Sequence, residues 1–191
     1  MTEQQKIPKS SFKCADDRFI AKELLKLAKG KEGGKFLEVG VYRGMTLVTM
    51  LESSGMLVTG VDRWEGFDGY NQLSTTAIEE LPGYYFWLQK HYGFRCRLIR
   101  ASSAQAANYF LQMDEKFDMI FIDADHRYEA VVEDLENYSK LLTEDGIFSG
   151  HDYLPGRRSR RPAVNRAVDE FAASRNWKVR TMGARVWYME R

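Results

Sequence analysis

The sequence predicts an α/β fold: a doubly wound, mostly parallel, seven-stranded sheet that closes on an antiparallel C-terminal hairpin. Three observations predict it. Five short apolar runs alternate with segments of helical periodicity. The runs are continuously apolar rather than alternating, as expected where helices cover both faces of a parallel sheet. The last two strand-like segments, "WKVRTM" and "ARVWYME", are separated only by Gly183 and its neighbours, which reads as a hairpin.

In chain order, a leading helix over 16–29 carries Ile20, Leu24, Leu27 and Ala28 on one face and stops at Gly30. "KFLEVG" is a strand closing on Gly40, "MTLVTMLESSG" a helix, and "MLVTGVD" a second strand ending at Asp62. Residues 63–94 are about twice as rich in aromatics as the chain's 13% average. Within them Tyr85, Leu88 and Tyr92 have the spacing of a core-facing helical stripe. Trp64, Phe67 and Tyr70 follow Asp62 in a glycine-punctuated loop that suits either a core or the wall of an adenine or acceptor pocket. "RCRLIR" at 95–100 is the third strand, "SAQAANYFLQ" a helix and "FDMIFID" at 117–123 the fourth strand. A helix over about 127–142 leads into a fifth strand, "GIFSGHD", from Gly146. Val164, Ala167, Val168, Phe171 and Ala172 mark a last helix with Pro162 in its first turn.

A polar leader over 1–15 and one domain over 16–191 are expected, because 191 residues suffice for a single core burying roughly 70% of the unfolded chain's surface. Hydrophobic content of 44% and charged content of 29% place the chain among soluble globular proteins. No apolar run approaches the roughly 20 residues of a membrane-spanning helix, and the leader lacks a secretory apolar segment, so the expected location is cytoplasmic. Cys14 and Cys96 are too few for a disulfide framework or a thiolate metal site. With 28 basic and 27 acidic residues, no overall field draws the protein to nucleic acid.

In a doubly wound sheet the ligand crevice lies beyond the carboxyl ends of the strands. Those ends carry Glu38 and Gly40, Asp62, Ala101 to Ser103, Asp123 to His126, and His151 with Asp152. "EVGVYRGMT" is a strand-to-helix glycine loop, bounded by Gly40 and Gly44. A dinucleotide fold wants a second glycine where Tyr42 stands, so that backbone approaches the pyrophosphate. A cofactor without phosphate tolerates that bulk. Glu38 is a carboxylate inside an apolar strand, where a partner or ligand is needed, and Asp62 stands where a carboxylate accepts ribose hydroxyls. The pair suits S-adenosylmethionine better than NAD.

These residues resemble class I S-adenosylmethionine-dependent methyltransferases over roughly 35–190, and so imply their Rossmann-like methyltransferase fold. "FLEVGVYRGMT" resembles the first motif of that group, "GVDRWEG" the second, and "RASSAQA" the adenine-side segment. "FDMIFIDADHRYEAVVEDLENYSKLLTEDGIFSGHDY" resembles the joined fourth-strand and fifth-strand motifs of catechol O-methyltransferase-like enzymes and of methyltransferase domain family 24. The resemblance implies that Glu38, Gly40, Tyr42 and Gly44 shape the methionine-side pocket with Thr46 near the carboxylate. It implies that Asp62 holds the ribose, that Ala101 and Ser102 contact adenine, and that Asp123 corresponds to a metal-binding aspartate. The catechol-type enzymes place a lysine base where His126 stands and Asp-Asn where His151 and Asp152 stand.

Only three histidines occur, and two of them, His126 and His151, lie beside aspartates at strand ends. Asp125 suits a cap for the helix beginning near Arg127. A divalent ion on Asp123, His151 and Asp152 would bind and acidify an acceptor hydroxyl, and His126 would take its proton. An all-oxygen set would suit Mg²⁺, whereas an imidazole admits Mn²⁺, Fe²⁺ or Zn²⁺. "GRRSRRP" sets Arg157, Arg158, Arg160 and Arg161 before a helix N-terminus, against the helix dipole, which suits either a solvated loop or capture of an anionic small-molecule acceptor. The expected activity is thus O-methylation of a small molecule. The alternatives are an RNA methyltransferase, an NAD-linked oxidoreductase and a non-catalytic cofactor-binding module.

Overall fold

The computed structural model describes residues 15–65, 75–92, 95–155 and 162–191. The arginine loop, Phe67, Tyr70, Cys14 and most of the leader lie outside the described residues. Strands β1 (Lys35–Val39), β2 (Leu57–Asp62), β3 (Cys96–Arg100), β4 (Phe117–Ile122) and β5 (Leu142–Gly150) are mutually parallel where they pair. Strands β6 (Lys178–Thr181) and β7 (Trp187–Glu190) form the hairpin, and the seven-stranded sheet runs β3-β2-β1-β4-β5-β7-β6. Strand β7 inserts antiparallel between β5 and β6, pairing Gly150 with Trp187. The chain order reverses between β1 and β4, which is the switch point where such sheets open a crevice.

Helices α1 (Ala15–Leu27), α2 (Met45–Ser53), α3 (Thr75–Tyr92), α4 (Ser103–Gln112), α5 (Tyr128–Tyr138) and α6 (Pro162–Ser174) cover the two faces. Ile20, Leu24, Leu47, Met50 and Leu88 of α1 to α3 pack in one core with Phe36, Met119 and Phe121. Phe110, Leu135, Val168 and Phe171 of α4 to α6 pack in the other with Leu37, Ile120 and Ile122. Successive residues of β1 and β4 therefore bury on opposite sides, which is why their sequences read as unbroken apolar runs.

Several sequence expectations need adjustment. The helix expected over about 127–142 ends at Tyr138, and β5 begins at Leu142 rather than Gly146, because a short 3-10 turn over 139–141 hands the chain straight to the sheet. The core stripe of α3 is Leu81, Tyr84 and Leu88, all nearly inaccessible, whereas Tyr85 and Tyr92 are half-buried at its edge. Trp64 is fully buried and donates its indole N–H to the Tyr42 carbonyl at 3.1 Å, so it supports the loop from beneath.

The first glycine of the β1 loop is fixed by geometry. Gly40 has φ +93°, and a Cβ there would lie 2.1 Å from the Asp123 carbonyl oxygen. Gly40→Ala is expected to destabilise the fold by about 3 kcal/mol or more, because backbone would have to move; urea denaturation measures it. A second expectation concerns Asp134 on α5, which is 1% exposed. Burial pushes its carboxyl up to about 7, opposed by the Ser103 side chain and aided by Glu133 and Asp125. Since that value lies above the ordinary 3.8, the folded state holds this proton more tightly and loses stability as pH rises from about 4 to 7. Asp134→Asn should therefore gain roughly 2 kcal/mol relative to the unsubstituted protein between pH 5 and pH 8, read by thermal denaturation at both values.

Candidate functional site

A cavity of about 640 Å³ opens at the carboxyl edge of the sheet over the switch point. Its walls come from the segments that follow β1, β2, β3, β4 and β5, and from the turn that precedes β7. Every expected site residue except one lines it: Glu38, Gly40, Tyr42, Thr46, Asp62, Ala101, Ser102, Asp123, His126, His151 and Asp152. Gly44 does not; it caps the N-terminus of α2 with φ +83°.

At one end, Glu38 is 2% exposed in mid-β1, with Gly60 and Phe121 as its neighbours across the sheet. Asp62 ends β2 and works on both sides of the crevice: Tyr42 donates its backbone N–H to Oδ2 at 2.7 Å and Trp64 donates its own to Oδ1 at 2.8 Å. A single carboxylate thus ties the loop after β1 to the loop after β2, and both donors sit at positive φ. Ser102 caps α4 through a reciprocal pair with Gln105: its hydroxyl accepts the Gln105 backbone N–H, and the Gln105 side chain accepts the Ser102 N–H. That cap holds the loop after β3 against the cavity.

At the other end four titratable groups converge. His126 Nε2 lies 3.2 Å from Asp123 Oδ1 and 3.3 Å from Asp152 Oδ2. His151 Nδ1 lies 3.4 Å from Asp123 Oδ2 and 3.6 Å from Asp152 Oδ1. His151 donates from Nε2 to the Ala184 carbonyl at 3.0 Å, which fixes Nδ1 as the nitrogen facing the carboxylates. Burial by itself would raise the Asp123 carboxyl, but His151 and His126 together hold it well below the usual carboxylate range. Burial would lower His151, yet Asp123 and then Asp152 outweigh that and hold its pKa above the ordinary value. Ligand atoms of Asp123, His126 and Asp152 all lie within 4.8 Å of one another, a spacing that fits one divalent ion. The sequence expectation grouped His151 with Asp123 and Asp152 as ligands and read His126 as the base; by spacing, His126 falls in the group with the two aspartates.

Asp125 is not the cap residue of α5. The cap position is Arg127, and Asp125 accepts its backbone N–H at 2.9 Å while gripping its guanidinium. One residue of the site escaped sequence reasoning. Arg185, in the turn before β7, places Nη1 2.8 Å from Asp152 Oδ1. Its signal was the hairpin: once β7 is known to run antiparallel beside β5, the residue preceding β7 must stand beside the residue following β5.

A model of the methyltransferase domain family 24 matches residues 37–153. No curated protein matches the sequence. Among solved structures, the calicheamicin methyltransferase CalS11 superposes with a TM-score of 0.66 at 16% identity, over 98% of this chain and 80% of its own. The O-methyltransferase NovP gives 0.55 at 16% identity, over 92% of this chain and 79% of its own. A fibrillarin from Aeropyrum pernix with natively bound S-adenosyl-L-methionine gives 0.59 at 14% identity, over 88% of this chain and 74% of its own. These likenesses concern the fold. The family match spans more than half of the chain and takes in Glu38 through Asp152, so the protein belongs to this family and is an S-adenosylmethionine-dependent methyltransferase.

Proposed function

We propose that the protein transfers the methyl group of S-adenosylmethionine to an oxygen of a small-molecule acceptor. The observation that carries this reading is the convergence of Asp123, His126, His151 and Asp152 in the same cavity as Glu38 and Asp62. One end has the carboxylates to hold a cationic, ribose-bearing cofactor; the other has groups that ready a hydroxyl. The volume, about 640 Å³, suits the cofactor together with a compact acceptor group.

S-adenosylmethionine supplies an electrophilic methyl group on a sulfonium, and the rest of the work falls to the chain. Glu38 and Thr46 would hold the amino-acid arm, Asp62 the ribose, and Ala101 with Ser102 the adenine. Phe121 and Ile122, which end β4 just before Asp123, are buried in the two cores on opposite faces of the sheet. A divalent ion held by Asp123, Asp152 and one imidazole would lower the pKa of an acceptor hydroxyl. Distances favour His126 as that imidazole, leaving His151 Nδ1 to take the proton. With an imidazole among the donors, Mn²⁺, Fe²⁺ or Zn²⁺ suits the set better than Mg²⁺.

A second, metal-free reading is favoured by one contact: Arg185 already lies against Asp152 at 2.8 Å, so the carboxylate has a resident cation. Here His126 takes the hydroxyl proton, and Asp123 and Asp152 stabilise the imidazolium that forms. Chelation separates the two. If methyl transfer, followed as S-adenosylhomocysteine release, survives exhaustive chelation, the metal-free reading stands.

Calorimetry is expected to show binding of S-adenosylmethionine and not of NAD. Asp62→Ala should weaken that binding roughly ten- to hundredfold, since it removes a charged hydrogen-bond acceptor and frees two loops. Asp123→Ala and Asp152→Ala should leave cofactor affinity within about threefold yet lower turnover by at least about a hundredfold. Equal losses of affinity in all three variants would instead make the cluster part of the cofactor pocket.

A further inference from the structure

The turn before β7 is expensive to build. Ala184 and Arg185 are consecutive non-glycine residues in the left-handed region, with φ +54° and +59°. Backbone strain of that kind persists only where surrounding contacts impose it. The contacts are visible: the Ala184 carbonyl accepts from His151 Nε2, the Arg185 carbonyl accepts the Tyr153 N–H, and Arg185 Nη1 meets Asp152 Oδ1. Asp152 itself sits at φ +59° and is 7% exposed. Two strained turns are thus locked face to face, and what they bring together is a guanidinium and one carboxylate of the candidate metal group.

A metal ion and a guanidinium make the same demand on Asp152. Each is drawn to the negative charge of a nearly buried carboxylate, and each repels the other strongly where water is scarce. We infer that Arg185 is the built-in counter-ion of Asp152 and competes with a divalent cation for it, so that Arg185 sets the metal affinity of the site. This rests on the metal-assisted reading above. When the ion binds, Arg185 yields Asp152; when the ion leaves, Arg185 returns and keeps the buried carboxylate paired. The site is thereby stable without metal, and its affinity is lower than three such ligands would otherwise give.

The test uses Mn²⁺ alone as probe, with the free-ion electron paramagnetic resonance signal as the readout, so that catalysis is not involved. Arg185→Gln removes the charge and is expected to bind Mn²⁺ about tenfold more tightly than the unsubstituted protein. Arg185→Lys keeps the charge and should stay within about threefold of it. Asp123→Asn should lose Mn²⁺ binding in either background. A thermal series guards against misfolding: Arg185→Gln is expected to melt lower than the unsubstituted protein without metal and to gain more from saturating Mn²⁺. Equal or weaker Mn²⁺ binding by Arg185→Gln, with binding by the unsubstituted protein intact, overturns the role of Arg185 and leaves the metal reading standing. Absence of Mn²⁺ binding in every protein overturns both.

Discussion

The site depends on how closely two strand ends approach at the switch point. Strands β1 and β4 lie side by side, and the chain leaving β1 passes against the carbonyl of Asp123 with room for a hydrogen and nothing larger at Gly40. The ladder continues one residue past each strand: Gly40 N–H reaches Val61, Asp123 N–H reaches Val39 and His151 N–H reaches Ile122. Each of these bonds fixes the direction in which the next few residues leave the sheet. Loops from distant parts of the chain are thereby registered to one another before any side chain interacts.

That registration creates an electrostatic problem that the site solves internally. Asp123 and Asp152 would repel if both were ionised and close in a poorly hydrated space. Two imidazoles and a guanidinium are set around them, and the resulting shifts are reciprocal: Asp123 is held down by His151 and His126, and His151 is held up by Asp123 and Asp152. Asp123 and His151 are thereby coupled, because the charge of each shifts the other. Such coupling suits proton transfer, since a proton gained at one imidazole is offset by carboxylates already in contact with it. Asp134 is the contrasting case, a buried acid that burial raises, with Glu133 and Asp125 adding to the rise and Ser103 opposing it.

Most of the architecture was legible in the sequence because a parallel sheet covered on both faces writes its strands as unbroken apolar runs. The rule that ligands gather beyond the strand ends then pointed to Glu38, Asp62, Asp123, His126, His151 and Asp152 without any side-chain contact being known. Two kinds of information were missing. Trp64 was open between a core position and a pocket wall, and only the path of the loop after β2 turns it inward to reach the Tyr42 carbonyl. Arg185 carried no motif at all. It enters the site through the placement of β7 between β5 and β6, a pairing that local periodicity does not encode. The distances that set His126 slightly nearer than His151 to both carboxylates were equally out of reach, since they differ by only a few tenths of an ångström.

Backbone strain marks the same boundary from another direction. Among the described residues, seven non-glycine residues have positive φ. Asp114 and Asn176 are of the kind that tolerates it, with short polar side chains in turns away from the cavity. Asp152 is of that kind as well, but it lines the cavity with Tyr42 and Arg185, and Trp64 and Ala184 stand in the adjoining loops; those four have no such tolerance. Tyr42 and Trp64 are held by the two oxygens of Asp62; Ala184 and Arg185 are held through His151, Tyr153 and Asp152. The residues that impose the strain are thus themselves residues of the site. A fold selected for stability alone would relax these turns with glycine. Keeping side chains there at a cost of about 1 kcal/mol or more apiece is the expected signature of loops whose conformation serves a ligand.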